Sequence, residues 1–307
     1  MSDNVLLKFL LDTIIPPFLI LIGTLSNILV ISVYSQVKFR KLATKNVWRL
    51  LSLVDIFCLL QIIKYFLSNT FNYSLYMISP FMCKLIAFLT HFGTVSSWLV
   101  VYISSERLTS LVFPKLNKLI QRNQITIFFI ILIFYICFYS QRFIYNGFVY
   151  QTLNNSTTTK CSTLKQFIEI NKTFKWIDTF ISTIIPFILM FISSIFLIYT
   201  VFSSRKRLAS SKSIPNKRKL AKDIRFSVTL IALNFVFVSF KLPAIIYLSA
   251  GGSRTLVWFS LLDDLYYSCY AVNFFIYLAA NSIFRQQFLI MIGFGKSKRK
   301  EKTYTVS

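Results

Sequence analysis

The chain has 307 residues, 55% of them hydrophobic, and a mean hydropathy of +0.63. So apolar a composition, with long uncharged runs, excludes an ordinary water-soluble domain. The net charge of +24 would point to nucleic acid in a soluble protein, but here Lys and Arg lie between the apolar runs, so they set membrane topology and no nucleic-acid partner is expected.

Seven apolar runs are each long enough for a helix to cross ~30 Å of hydrocarbon, which takes roughly 20 residues. They fall at about 13–34, 47–68, 85–106, 125–145, 177–201, 226–248 and 256–280. The expected fold is an all-α membrane protein, a seven-transmembrane helix bundle with a short cytosolic helix after the seventh span. Residues 1–12 read as a short extracellular N-terminus, 13–280 as the bundle, and 281–307 as an amphipathic helix with a basic tail. The first run is long and lacks both a basic start and a small-residue cleavage site, so it reads as a retained helix.

Most of the 34 Lys and Arg fall in the first, third and fifth connections and in the tail, which puts those segments in the cytosol. The asparagines of N-x-S/T sequences are Asn72, Asn154, Asn155 and Asn171, and all four lie in connections assigned to the outside; Asn154 or Asn155 is the favoured glycosylation site. The connection from 203 to 225 is the most basic, and suits lipid headgroups and an acidic partner equally well. The five cysteines have no C-x-x-C spacing and His91 is the only histidine, so no metal site is expected. No nucleophile and base pair, histidine cluster or glycine-rich phosphate loop points to an enzyme.

Polar groups inside spans are costly and therefore informative. Asn27, Asp55, Arg107, Lys241, Asp263 and Asp264 are such groups. The first run contains Gly23-Thr24-Leu25-Ser26-Asn27-Ile28-Leu29-Val30 and the second Leu51-Ser52-Leu53-Val54-Asp55. Cys83 opens the third, which closes with Glu106-Arg107-Leu108 ahead of Pro114. Pro186 and Pro243 lie in the fifth and sixth, and the seventh ends Asn273-Phe274-Phe275-Ile276-Tyr277, followed by Phe284-Arg285-Gln286-Gln287-Phe288. In this order and at nearly this spacing, the motifs resemble the rhodopsin-like (class A) G-protein-coupled receptors over nearly the whole chain.

That resemblance implies a cell-surface receptor that passes an extracellular signal to a heterotrimeric G protein. It implies an activation switch of Glu106, Arg107, Pro243, Asn273 and Tyr277, in which Arg107 pairs with Glu106 in the closed bundle. Asp55, Ser96 and Asn273 are expected to form a polar pocket able to hold a sodium ion, with no other cofactor. Cys83 and Cys161, both on the oxidising side, are expected to form a disulfide, while Cys58, Cys137 and Cys269 sit inside spans. Pro186 and Pro243 are expected to serve as hinges.

The chain also departs from the family pattern. Lys241 stands where most members carry a tryptophan, and Phe274 replaces the helix-seven proline. A lysine among apolar residues needs a partner, and Asp263 or Asp264 on the next run is expected to supply it; alternatively these aspartates meet the ligand directly. Tyr267 occupies the position of the retinal-binding lysine and Leu89 that of the amine-binding aspartate, which disfavours both ligand classes. An aromatic pocket with Lys241, Asp263 and Asp264 suits a peptide with a basic or amidated end. Two other classes compete. A bitter-taste-like chemosensory receptor has similar length and charge but fits less well with Glu106-Arg107, Asp55 and the cysteine pair. A transporter would show broken-helix repeats or a row of charges, and neither is present.

Overall fold

The computed structural model describes residues 3–36, 39, 45–153, 156–210, 214–249 and 257–295. Among them, six helical segments are long and apolar enough to cross a membrane: Val5–Tyr34, Lys45–Phe71, Pro80–Val112, Gln124–Tyr145, Lys165–Ser203 and Ile224–Leu248. These are the first to sixth spans. Among the described residues the seventh run is helical over Val257–Ala271 and Asn273–Ala280, 15 and 8 residues, and neither stretch spans a full crossing by itself. A further helix, Ser282–Met291, follows it.

Helix covers more of the chain than the apolar runs alone indicate. The segment expected as a short N-terminal extension is helical from Asp3 and runs without a break into the first span. The third span begins at Pro80, one residue after Ser79, whose side chain accepts from Met82 N and caps it.

Two π-helical turns interrupt the regular winding, Leu10–Ile14 in the first span and Phe180–Ile184 in the fifth. Both lie just before prolines, Pro16-Pro17 and Pro186. Proline lacks an N–H and clashes with the carbonyl four residues back, and a widened turn relieves both problems. The carbonyl of Ile181, inside the second such turn, accepts from Trp98 Nε1 of the third span at 3.1 Å. Helix Ile214–Ser249, by contrast, continues through Pro243.

The purely helical expectation omits one element. Asn146–Leu153 (β1) and Ser156–Thr163 (β2) form an antiparallel hairpin, with Phe148 opposite Cys161. Its threonines favour extended backbone, and the Cys83–Cys161 disulfide ties it to the third span. The third span touches the second, fourth, fifth and sixth, so it forms the axis of the bundle. Outward faces stay apolar, with Phe129, Ile130, Phe191 and Phe196 all more than half exposed, as a lipid-facing surface requires.

Candidate functional site

Mid-bundle, Asp55 is fully buried. Ser96 Oγ donates to its Oδ1 and Asn273 Nδ2 to its Oδ2, each at 2.6 Å. The three residues of the expected polar pocket are thus in contact. Asn273 reaches Asp55 because the seventh segment is interrupted at Val272, although no proline is there to cause the break. The carbonyls on the outer side of the break are satisfied by the first span: Ala271 O accepts from Ser26 Oγ at 3.0 Å, and Tyr270 O from Asn27 Nδ2 at 2.9 Å. Gly23 allows this approach, since a Cβ there would lie 3.0 Å from Ala271 Cβ. The first-span motif therefore acts as a clamp on the broken helix.

The structure corrects the expected Lys241 ion pair. Lys241 is 2% exposed and forms no ion pair with Asp263 or Asp264. Its Nζ donates to Ser97 Oγ at 3.3 Å and lies 4.1, 4.4 and 5.3 Å from the ring centroids of Phe237, Tyr270 and Tyr266. Three ring faces and a hydroxyl replace the carboxylate, a cation–π arrangement that is stronger when desolvated. Asp263 instead lines the outer cavity described below. Asp264 does not, and its charged neighbours are Asp263 and Asp12. Lys241→Met is therefore expected to act independently of both aspartates, its effect on stability adding to that of Asp263→Asn or Asp264→Asn within about 0.5 kcal/mol. Unfolding midpoints of the single and double variants check this; a coupling of 2 kcal/mol or more would restore the ion pair.

At the inner end, Glu106 is buried but does not pair with Arg107. Its Oε1 accepts from Gln121 Nε2 at 2.7 Å, and from the Asn117 amide at 3.0 Å once that amide is turned to face it. Both partners belong to the short helix Pro114–Arg122, so neutral amides take the place expected for the arginine. The Arg107 guanidinium lies 5.6 Å from the ring of Phe226 on the sixth span. A link that the sequence reading missed lies nearby. Ser104 Oγ donates to Asn234 Oδ1 at 3.1 Å, and Asn234 Nδ2 to Ser194 Oγ at 2.9 Å, joining the third, sixth and fifth spans. Asn234 inside an apolar run was the available signal.

Tyr277 is fully buried among aromatics. Its ring meets Trp48 edge-on at 5.2 Å, Tyr34 at 6.0 Å and Phe284 at 5.5 Å. Phe274, in place of the proline, packs on Phe288 at 5.1 Å and Phe284 at 5.9 Å, holding the helix Ser282–Met291 against the bundle.

At the outer end, the hairpin and the second to seventh segments enclose a cavity of about 1050 Å³. Cys83 and Cys161 are bonded, as expected, and Cys161 lines the cavity. His91 Nδ1 lies 3.1 Å from Asp178 Oδ2 and its ring stacks on Tyr139 at 4.7 Å. Tyr139 donates its hydroxyl hydrogen to Asp178 Oδ1 and shares a hydrogen bond of 2.9 Å with Thr94. This cluster joins the third, fourth and fifth spans and was not foreseen from the sequence, because its members are far apart along the chain.

Among the glycosylation candidates, Asn154 and Asn155 lie outside the described residues, and Asn72 is exposed at the end of the second span. Asn171 is corrected: it is 6% exposed, and its amide nitrogen donates to Thr163 Oγ1 at 2.9 Å, so it does not offer a free acceptor for sugar.

No curated protein gives a significant match to the sequence. The family model of the 7 transmembrane receptor (rhodopsin family) matches residues 26–279. That range takes in the Asn27 clamp, the Asp55 pocket, the Glu106-Arg107 end of the third span and the Asn273 break. The chain belongs to the rhodopsin family of seven-transmembrane receptors.

Proposed function

We propose that the protein is a plasma-membrane receptor which binds an extracellular peptide in the outer cavity and activates a heterotrimeric G protein at its inner mouth. The N-terminus lies outside and the tail in the cytosol. In this arrangement Val257–Ala271 and Asn273–Ala280 together make the seventh crossing, and Ser282–Met291 lies on the cytosolic face. Asn154 or Asn155 carries the glycan.

The observation that carries this reading is the succession of polar contacts down the bundle axis. These are three separate groups: Lys241 with Ser97, beneath the cavity-lining ring of Tyr266; Asp55 with Ser96 and Asn273; and Ser104 with Asn234. Buried polar contacts have discrete arrangements, and the sixth span carries both Lys241 and Asn234, so a shift of that span would rearrange the first and the last group together. Pro243 sits two residues from Lys241 in that span, where it weakens the local backbone ladder.

A sodium ion suits the Asp55 pocket. The carboxylate there is compensated by two hydrogen bonds and by no ion pair among the described residues. Asp55, Ser96 and Asn273 would hold the ion, which would supply positive charge and stiffen the middle of the bundle. Exchange of sodium for choline in the medium should change basal signalling, and Asp55→Asn should erase the difference.

The coupling test is a panel of synthetic peptides applied to cells expressing the chain, read by G-protein dissociation. An active peptide should lose nearly all signalling on Arg107→Ala while still binding at the surface. Undiminished signalling from that variant would remove Arg107 from the switch.

A further inference from the structure

We infer that the ligand of the outer cavity carries an acidic oxyanion group, a carboxylate foremost, docked on the guanidinium of Arg142. The inference rests on the cavity being the receptor's ligand site and reverses the basic or amidated peptide end expected from the sequence.

Arg142 lies at the outer end of the fourth span, lines the cavity and is 6% exposed. A guanidinium has five donors. Here Nη1 donates to Asn171 Oδ1 at 2.7 Å, while Nε is buried with no hydrogen-bond partner among the described residues. Asn171 is fixed in turn by Thr163, so the group that holds Arg142 by a hydrogen bond is neutral; the charge of Asp178 acts on it from nearby, but no described carboxylate forms an ion pair with it. A buried charge with spare donors is costly until an acceptor arrives, and a carboxylate or phosphate can accept two parallel hydrogen bonds from the fork.

The surrounding charges favour the same occupant. Arg142, Lys160, Lys172 and Lys175 line the cavity against Asp178 and Asp263. Asp178 is already engaged, with His91 at one oxygen and Tyr139 at the other. Lys172 is paired with Glu169 at 2.7 Å, whereas Lys160 and Lys175 are exposed at the rim and form no described ion pair. Of Asp263 and Asp264, which together prompted the opposite expectation, only Asp263 is part of the lining.

The test uses the full chain purified into lipid nanodiscs, with the thermal unfolding midpoint followed against sodium succinate, sodium phosphate and, as a control at matched ionic strength, sodium chloride. Succinate or phosphate should raise the midpoint by roughly 3 °C or more at tenfold excess over its Kd, and the more effective of the two identifies the oxyanion. Arg142→Gln should abolish the rise and Arg142→Lys should keep part of it. Lys175→Gln, an exposed change that spares the fold, should weaken the apparent affinity roughly twofold to fivefold. No rise above chloride up to 50 mM, or an equal rise in wild type, Arg142→Gln and Lys175→Gln, overturns the proposal. Nucleotide exchange by added G protein, measured on the same preparations, reads the receptor function separately. Exchange without anion binding rejects the ligand class alone, and anion binding without exchange rejects the coupling.

Discussion

Replacing Cys83 and Cys161 together by serine is expected to remove most of the folded receptor from the cell surface. The bond joins residues 78 positions apart, and closing so long a loop limits the unfolded chain; losing such a bond typically costs about 2–5 kcal/mol. It also fastens β2 to the outer end of the third span, so the hairpin would lose its tether over the cavity. Surface labelling and the unfolding midpoint check the expectation. Wild-type values for both in the double serine variant would show that hairpin packing alone holds that end.

Trp48→Ala is expected to be the most damaging single change in the inner half. Trp48 is 2% exposed, stacks on Tyr34 with centroids 5.9 Å apart, and meets Tyr277 edge-on. Tyr34 also touches Phe39 and Phe284, so one indole joins the first, second and seventh segments to the helix that follows. Removing a buried aromatic of this size costs roughly 3–5 kcal/mol, mostly through lost packing, which in lipid also drives helix association. Phe129→Ala on the outward face of the fourth span, where the side chain is 52% exposed, should cost far less. The two unfolding midpoints should differ by several degrees, and equal losses would mean that the aromatic cluster contributes no more than a lipid-facing ring.

Six spans were legible because apolar runs interrupted by basic connections have one reading in a bilayer, and the disulfide because both cysteines fall at the same end. The hairpin was not, since Asn146–Thr163 is rich in Ser, Thr and Asn without strict alternation. Asp55, Ser96 and Asn273 could be grouped through the resemblance. Lys241 was misassigned because two aspartates on the next segment offered the simplest partner, while the choice between carboxylate and ring faces depends on helix rotation. The burial of Arg142 was not legible, because it depends on Asn171, 29 residues further along the chain, and on the Thr163 hydroxyl that fixes it.

Helix rotation is also where the π turn at Phe180–Ile184 leaves its mark. A widened turn holds one residue more than a regular one, so everything on its outer side is displaced by about 100° around the axis relative to an unbroken helix. Counted back from Ile185 along a regular helix, the place now taken by Asp178 would fall to Thr179. The aspartate that engages His91 and Tyr139 thus owes its direction to a proline eight residues further along the chain. The composition of the cavity wall is in this sense set by backbone phase: regular winding of the unchanged sequence would put Thr179 where the carboxylate now stands, whereas deletion of one residue inside the turn would restore regular winding and leave Asp178 facing His91 and Tyr139.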